Sequence, residues 1–320
     1  MEVLKYRDKL NKMIDEASKV FIMGHKYIDL DAIGSALGVY EYVNNRNKQS
    51  TIIINDTTLE KGVKKALTKI SNKYNIKKSD EITFAETDLL IIVDTNKSYL
   101  LQDIDAVNKF KNIVVIDHHD TNEQSMTKGF IIIDRDSSST CEMIVDLLDK
   151  ENIKISPIIA TLLLSGIVLD TNNFVVKTTK NTYRTSYILT TWGASPIDVQ
   201  YLLKQDIKEY TSRQKVITNV KQINNIAISN GISNIKYRRE DLAKIADTLL
   251  QFDKIEASFV IGKLTNGNIG ISSRSLGNIN VGQILEKFNG GGDENEAGAS
   301  IENTTIKRIE EELKNIIKAL

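Results

Sequence analysis

The chain has 320 residues, 41% hydrophobic and 26% charged, with 42 Lys+Arg balanced against 42 Asp+Glu. That length suffices for two domains of ordinary size, and the composition is that of a folded globular protein. Zero net charge gives no global field to hold a long nucleic acid, which leaves a small anionic ligand at a local site. The single cysteine, Cys141, excludes an internal disulfide and a cysteine-based zinc site and fits a reducing cytosol. No apolar stretch nears the roughly 20 residues of a membrane-spanning helix. The charged N-terminus does not read as a signal peptide, so the expected location is cytoplasmic.

Residues 4–17 read as an amphipathic helix. The branched run Val20–Met23 follows as a buried strand, leading into Gly24-His25-Lys26-Tyr27-Ile28-Asp29-Leu30-Asp31. Asp31 is expected to cap the next helix, where Ala32, Gly34, Ala36 and Gly38 allow close packing on the sheet. Further apolar strands are expected at 51–54, 89–93, 113–116 and 130–133, with helices between several of them. That alternation is the signature of an α/β fold with a doubly wound, mainly parallel sheet. Residues 158–169 read as a buried helix that delivers Asp170. The polar helical stretch 196–222 carries no strand pattern and reads as a linker. Beyond it come a strand (226–228), a helix (240–250), strands at 257–263 and 268–273, a helix (281–288), a glycine run, a strand and a C-terminal helix. The expected division is a catalytic domain at 1–195, a helical linker at 196–222 and a smaller mixed α+β substrate-binding domain at 223–320.

All three histidines fall in two acid-rich motifs that follow apolar strands: His25 with Asp29 and Asp31, and Asp117-His118-His119-Asp120. Asp94 ends a third strand and Asp170 ends the buried helix, each followed by threonine. A single strand-terminal aspartate commonly caps a helix. Four carboxylates and two histidines at the ends of four apolar segments instead suggest a metal site at the carboxyl edge of a sheet. Six ligand candidates exceed the needs of one ion and suit two divalent ions about 3.5–4 Å apart that share a carboxylate. Carboxylate-rich ligation with imidazole favours Mn²⁺, with Mg²⁺, Co²⁺ and Fe²⁺ also compatible. Asp117 is expected to orient a ligand from behind. His119 is open between a structural hydrogen-bonded histidine and a catalytic one. The residues alone point to a dinuclear phosphoesterase.

The order GHKYIDLD, VDT, IDHH, LDT resembles the DHH phosphoesterases, and ISSRSLGNINV with NGGGDENEAGA resembles the DHH-associated substrate domain. Within that superfamily VFIMGHKYIDLDAIG, SSSTCEMIVDLL, LLLSGIVLDTNNF and IADTLLQFDKIEASFVIGKLTNGNIGISSRSLGNINV look like the catalytic portion of GdpP-type cyclic-di-AMP phosphodiesterases. The resemblance implies that His25 and Asp29 hold one Mn²⁺, that Asp31, His118 and Asp170 hold a second, and that Asp94 bridges both. It places His119 beside the scissile phosphate, and makes Arg274 with Gly290, Gly291 and Gly292 the contacts for another phosphate. The implied reaction opens cyclic di-AMP to linear 5′-pApA with a water activated by two metals, in a homodimer. Two features depart from the pattern. Asp293 stands where the family's glycine loop continues into a histidine, with Glu294 and Glu296 beside it, and a carboxylate there would repel phosphate unless turned away, protonated or bridged by a cation. The membrane, PAS and degenerate GGDEF segments usual ahead of this portion are not in the sequence, so it reads as a stand-alone relative or the cytosolic part of a longer membrane-anchored protein. Two alternatives follow: hydrolysis of linear pApA or short oligoribonucleotides, and a degenerate nucleotide-binding sensor. Leu30 between the motif aspartates favours the cyclic-dinucleotide reading, because members acting on linear substrates typically have glycine there.

Overall fold

Six runs of Val, Ile and Leu build the first sheet: β1 (Val20–Met23), β2 (Ser50–Ile53), β3 (Ile76–Lys77), β4 (Leu89–Val93), β5 (Asn112–Asp117) and β6 (Phe130–Ile133). Every pairing in it is parallel, in the order β3-β2-β1-β4-β5-β6. The computed structural model describes residues 2–56, 59–70 and 73–319. It has two units, Met1–Lys204 and Gln205–Leu320. The central strands β1, β4 and β5 are buried on both faces, which explains their nearly continuous apolar sequence. Ile22, Ile91, Val93, Val114 and Ile116 face one core, while Phe21, Met23, Leu90, Ile92 and Val115 face the other.

The helices of this unit are α1 (Glu2–Lys5), α2 (Arg7–Glu16), α3 (Leu30–Asn45), α4 (Lys61–Ile70), α5 (Ile104–Lys109), α6 (Thr140–Lys150), α7 (Pro157–Asp170), α8 (Lys180–Thr191) and α9 (Pro196–Leu202). Thus the helix expected at 4–17 is broken at Tyr6 into two. Helix α7, PIIATLLLSGIVLD, is apolar on all sides and packs against α3, α6, α8 and α9. Its approach to α3 requires two glycines. A methyl group at Gly34 would lie 2.9 Å from the Leu162 carbonyl oxygen, and one at Gly166 would lie 2.8 Å from Asp31 Cα.

The stretch 196–222 divides between the units. Helix α9 packs on α4 and α7 of the first unit, burying Val199 and Leu202. Helix α10 (Ile207–Ile217) packs on α11 (Arg239–Leu249) and on β8 (Ile226–Asn230) of the second, and β7 (Lys221–Ile223) is already a strand. The second unit continues with β9 (Lys236–Tyr237), β10 (Ala257–Leu264), β11 (Ile269–Ser275), α12 (Val281–Glu286), β12 (Gly291–Gly292), β13 (Glu296–Ile301) and α13 (Ile306–Lys318). Its sheet runs β12-β13-β11-β10-β8-β7, antiparallel except where β10 meets β8 and β9. Alternation decides its two faces. Ile226, Ile228, Phe259 and Ile261 pack with α12 and α13, while Ala227 and Val260 pack with α10 and α11.

Candidate metal centre

The strand order reverses between β1 and β4, and ligand sites in open α/β sheets form outside the strand ends at such a point. His25 follows β1, Asp94 follows β4, and His118 follows β5. His25 is fixed by its backbone pairing with Leu101, and its Nδ1 meets the Lys26 carbonyl oxygen at 2.5 Å. Its Nε2 lies 3.6 Å from Asp29 Oδ2 and 3.5 Å from Asp94 Oδ2; burial opposes protonation of the ring, but these two carboxylates raise its pKa well above the usual imidazole value.

Asp29, not Asp31, is the N-cap of α3. Its Oδ1 accepts from the Asp31 and Ala32 amides at 2.9 and 3.0 Å, leaving Oδ2 for the centre. The extended backbone at Asp29 is what a cap requires, whereas Asp31 already lies in the first helical turn. Asp31 therefore projects inward, fully buried, and its two oxygens accept from the Thr140 and Cys141 amides at the start of α6 (2.8 and 2.9 Å). Asp94 adopts φ 61, and its Oδ1 accepts from the Thr140 hydroxyl at 3.1 Å. One Asp94 oxygen thus faces His25 and the other lies 3.6 Å from His118 Nε2.

His118 bears most directly on a metal. Its side chain is 3% exposed, and Nε2 lies 3.1 Å from Asp170 Oδ2 yet makes no hydrogen bond. Burial, with the neighbouring His119 charge, lowers its pKa to about 4, so the ring is neutral and can offer a lone pair. Burial and the Asp170 charge push Asp31 up to about 6, and burial with the Asp31 charge raises Asp94 well above the carboxylate range. An orphaned imidazole nitrogen amid crowded carboxylates is the environment that a divalent cation relieves. Ligand atoms of Asp31, Asp94, His118 and Asp170 lie within 4.8 Å of one another, as do those of His25, Asp29 and Asp94. The donor sets fit a divalent metal on each side of Asp94.

His119 differs from its neighbour. Its side chain is 49% exposed, and its Nδ1 lies 2.8 Å from Asp117 Oδ1. Burial of the ring opposes its protonation, but the hydrogen bond and charge of Asp117 outweigh that and raise the pKa to about 10. Asp117 is held in turn by Asn96, whose amide donates to Oδ2 at 2.6 Å. Sequence reasoning missed Asn96 and Thr140. The only signal for Thr140 was its place in SSSTCEMIVDLL, which reads as an ordinary helix start with Ser139 as cap.

In the second unit, Arg274 on β11 is partnered. Its Nε donates to Asp247 Oδ1 at 2.8 Å, one terminal nitrogen donates to the Ser273 carbonyl at 2.9 Å, and Glu296 lies 3.5 Å away. The glycine run is a hairpin: the Gly290 amide donates to the Leu285 carbonyl, and Gly291 and Gly292 pair with Gly298 and Ala297. Asp293 Oδ1 accepts from the Asn295 and Glu296 amides at 2.8 and 2.6 Å, so the carboxylate is occupied by its own turn.

Residues 19–167 match the DHH family, N-terminal domain, and residues 215–320 match the DHHA1 domain. The chain is 34% identical over 318 residues to a cyclic-di-AMP phosphodiesterase GdpP of Geobacillus thermodenitrificans, covering 96% of this chain and 48% of that protein. It therefore spans about half the length of that relative. It is 27% identical to a bifunctional oligoribonuclease and PAP phosphatase NrnA of Mycoplasma genitalium over 96% of this chain and 95% of that one. Among solved structures, an exopolyphosphatase-related protein from Bacteroides fragilis superposes with a TM-score of 0.79, covering 98% and 96% of the two chains at 22% identity. That likeness bears on the fold.

Proposed function

Because the chain belongs to the DHH family of phosphoesterases and carries a DHHA1 domain, we propose that it opens cyclic di-AMP to linear 5′-pApA in a metal-dependent hydrolysis. The observation that carries this reading is the centre around Asp94, together with 34% identity to a cyclic-di-AMP phosphodiesterase over nearly the whole chain. His25 and Asp29 would hold one Mn²⁺, Asp31, His118 and Asp170 a second, and Asp94 both. Such a pair supplies polarisation of the phosphate, a water of lowered pKa and neutralisation of the leaving oxygen.

The remaining work falls to side chains of this unit. His119, kept cationic by Asp117, presents its outer N–H to a non-bridging phosphate oxygen and offsets the charge that develops there. Asn96 keeps Asp117 from turning away. Thr140 and the amides at the start of α6 fix Asp94 and Asp31, so these two carboxylates are already in place when the substrate arrives. In the second unit, Arg274 is our candidate for holding another phosphate, a role in which the incoming oxygens would compete with Asp247.

A second reading, hydrolysis of linear pApA or short oligoribonucleotides, draws on the near full-length match to NrnA. Chromatography of products separates the two. Purified protein with Mn²⁺ is given cyclic di-AMP, cyclic di-GMP, pApA and pAp separately. Formation of pApA from cyclic di-AMP is the expected result, and AMP from pApA alone would put the second reading first. No turnover of any of them would favour a sensor.

A further inference from the structure

The segment that joins Asp170 to α8 holds three consecutive left-handed residues, Asn172 (φ 46), Asn173 (φ 59) and Phe174 (φ 64), followed by Lys177 (φ 50). Asparagine tolerates this region, but phenylalanine and lysine adopt it only where the surroundings impose it. Thr171 is what imposes it. Its hydroxyl donates to the Ile167 carbonyl and accepts from the Phe174 amide (2.6 and 3.0 Å), and its carbonyl accepts from the Val175 and Val176 amides (2.8 and 3.0 Å).

The outcome of that turn is an aromatic pair. Phe174 packs against the core of the first unit and stacks on Tyr183 of α8, with centroids 5.7 Å apart and planes 13° apart. Tyr183 is 60% exposed and Tyr187, one helical turn on, is 70% exposed. A surface tyrosine normally samples several rotamers. This one is backed by an anchored ring and keeps its other side toward solvent.

Both ends of the segment are tied to the centre. Its start is Asp170, 3.1 Å from His118 Nε2. Its end is the first turn of α8, where Asn181 and Thr182 donate to Glu142 at 2.8 Å each. Glu142 lies in the same turn of α6 whose amides hold Asp31.

We propose that Tyr183, backed by Phe174, is a stacking platform for a purine base of the substrate. This rests on the nucleotide reading given above. Stacking on an aromatic face is tolerant of base identity and needs a rigid, open ring.

Two p-nitrophenyl diesters test it in the full chain with Mn²⁺, the adenosine 5′-phosphate ester and the methyl phosphate ester. Tyr183→Ala should reduce the preference for the adenosine ester over the methyl ester, as a ratio of kcat/KM, about tenfold. Tyr183→Phe should restore it, since the ring and not the hydroxyl is used. An unaltered preference in Tyr183→Ala overturns the platform. Calorimetric titration of the metal-free protein with pApA reads the same loss for Tyr183→Ala without turnover. Failure of the dinucleotide reading would appear elsewhere, in the wild-type protein's inability to turn over cyclic di-AMP or pApA.

Discussion

The centre at the edge of the parallel sheet and the glycine hairpin of the second unit are both acidic, yet they are built on opposite principles. In the second unit the answers are complete at two charges: Asp293 of the hairpin is met by two amides of its own turn, and Arg274 beside it by Asp247 and Glu296. In the centre the answers stop short. Asp31 and Asp94 are buried, are held by hydrogen bonds from the start of α6, and face a His118 nitrogen with no hydrogen bond among the described residues. A folded chain tolerates such a deficit only where something outside it completes the set. The acidity of a loop is therefore poor guidance by itself, and the inventory of donors tells the two sites apart.

The largest effect expected from breaking this contrast is at Asp94. Asp94→Ala should lower turnover by at least about 10³-fold and reduce the metal bound per chain by elemental analysis. The same substitution should raise the melting temperature of the metal-free protein, because it removes a buried carboxyl group whose ionisation burial and the Asp31 charge both oppose. An Asp94→Ala protein with wild-type turnover would falsify a centre in which one carboxylate serves both sides. Next comes Thr140→Val, which keeps the shape and removes the donor to Asp94. Metal affinity by titration calorimetry should weaken by about 10–100-fold, and equal affinities would mean that Asp94 is positioned without it.

On the hairpin side the effect is smaller and of a different kind. Asp293→His removes the acceptor for two amides and should cost about 1 kcal/mol of stability in chemical denaturation. An unshifted midpoint would show that the carboxylate is not what closes the turn. The smallest effect is a pH slope from Asp146, on α6 beneath the centre. Burial raises its pKa to about 7 from 3.8, Asn181 and Arg184 oppose the rise, and the Glu142 charge adds to it. The native state thus keeps a proton that the unfolded chain releases. Its stabilising contribution is complete below about pH 4 and is lost as pH rises through about 7. Metal-free Asp146→Asn should show a flatter melting temperature across that window than the parent protein. Parallel curves for the two would remove Asp146 as the source.

Much of this was legible in the residues. The apolar runs located five of the six strands of the first sheet to within a residue or two, since a strand buried on both faces admits little else, while the two-residue edge strand β3, half-buried and exposed, carries no such run and was missed. The six candidate ligands converge for the same reason: each ends an element, and the ends share one edge of the sheet. The cap of α3 was misjudged because Asp29 and Asp31 have the same chemistry and differ only in backbone conformation, which the sequence does not display. Thr140 stayed hidden because its role depends on a partner 46 positions away. Residues 196–222 read as one polar stretch, although burial of Val199 and Leu202 on one side and of Val216 and Ile217 on the other assigns its two helices to different units. The partners of Arg274 and the self-capped turn of Asp293 are tertiary and local geometry, respectively, and neither leaves a mark in composition.

The close approach of α3 and α7 has a consequence for ionic size. A methyl at Gly166 would lie 2.8 Å from both Cα and Oδ1 of Asp31, so this carboxylate cannot retreat toward the helix behind it. Its oxygens are also pinned from the front by two main-chain amides. A ligand that can neither recede nor swing does not adjust its reach to the radius of the ion it meets. Calcium prefers more oxygen donors at longer distances and is accommodated by flexible sites, whereas ions near the size of manganese accept shorter, fixed ones. For an ion held by Asp31, the same helix contact that packs the interior would therefore disfavour the larger cation.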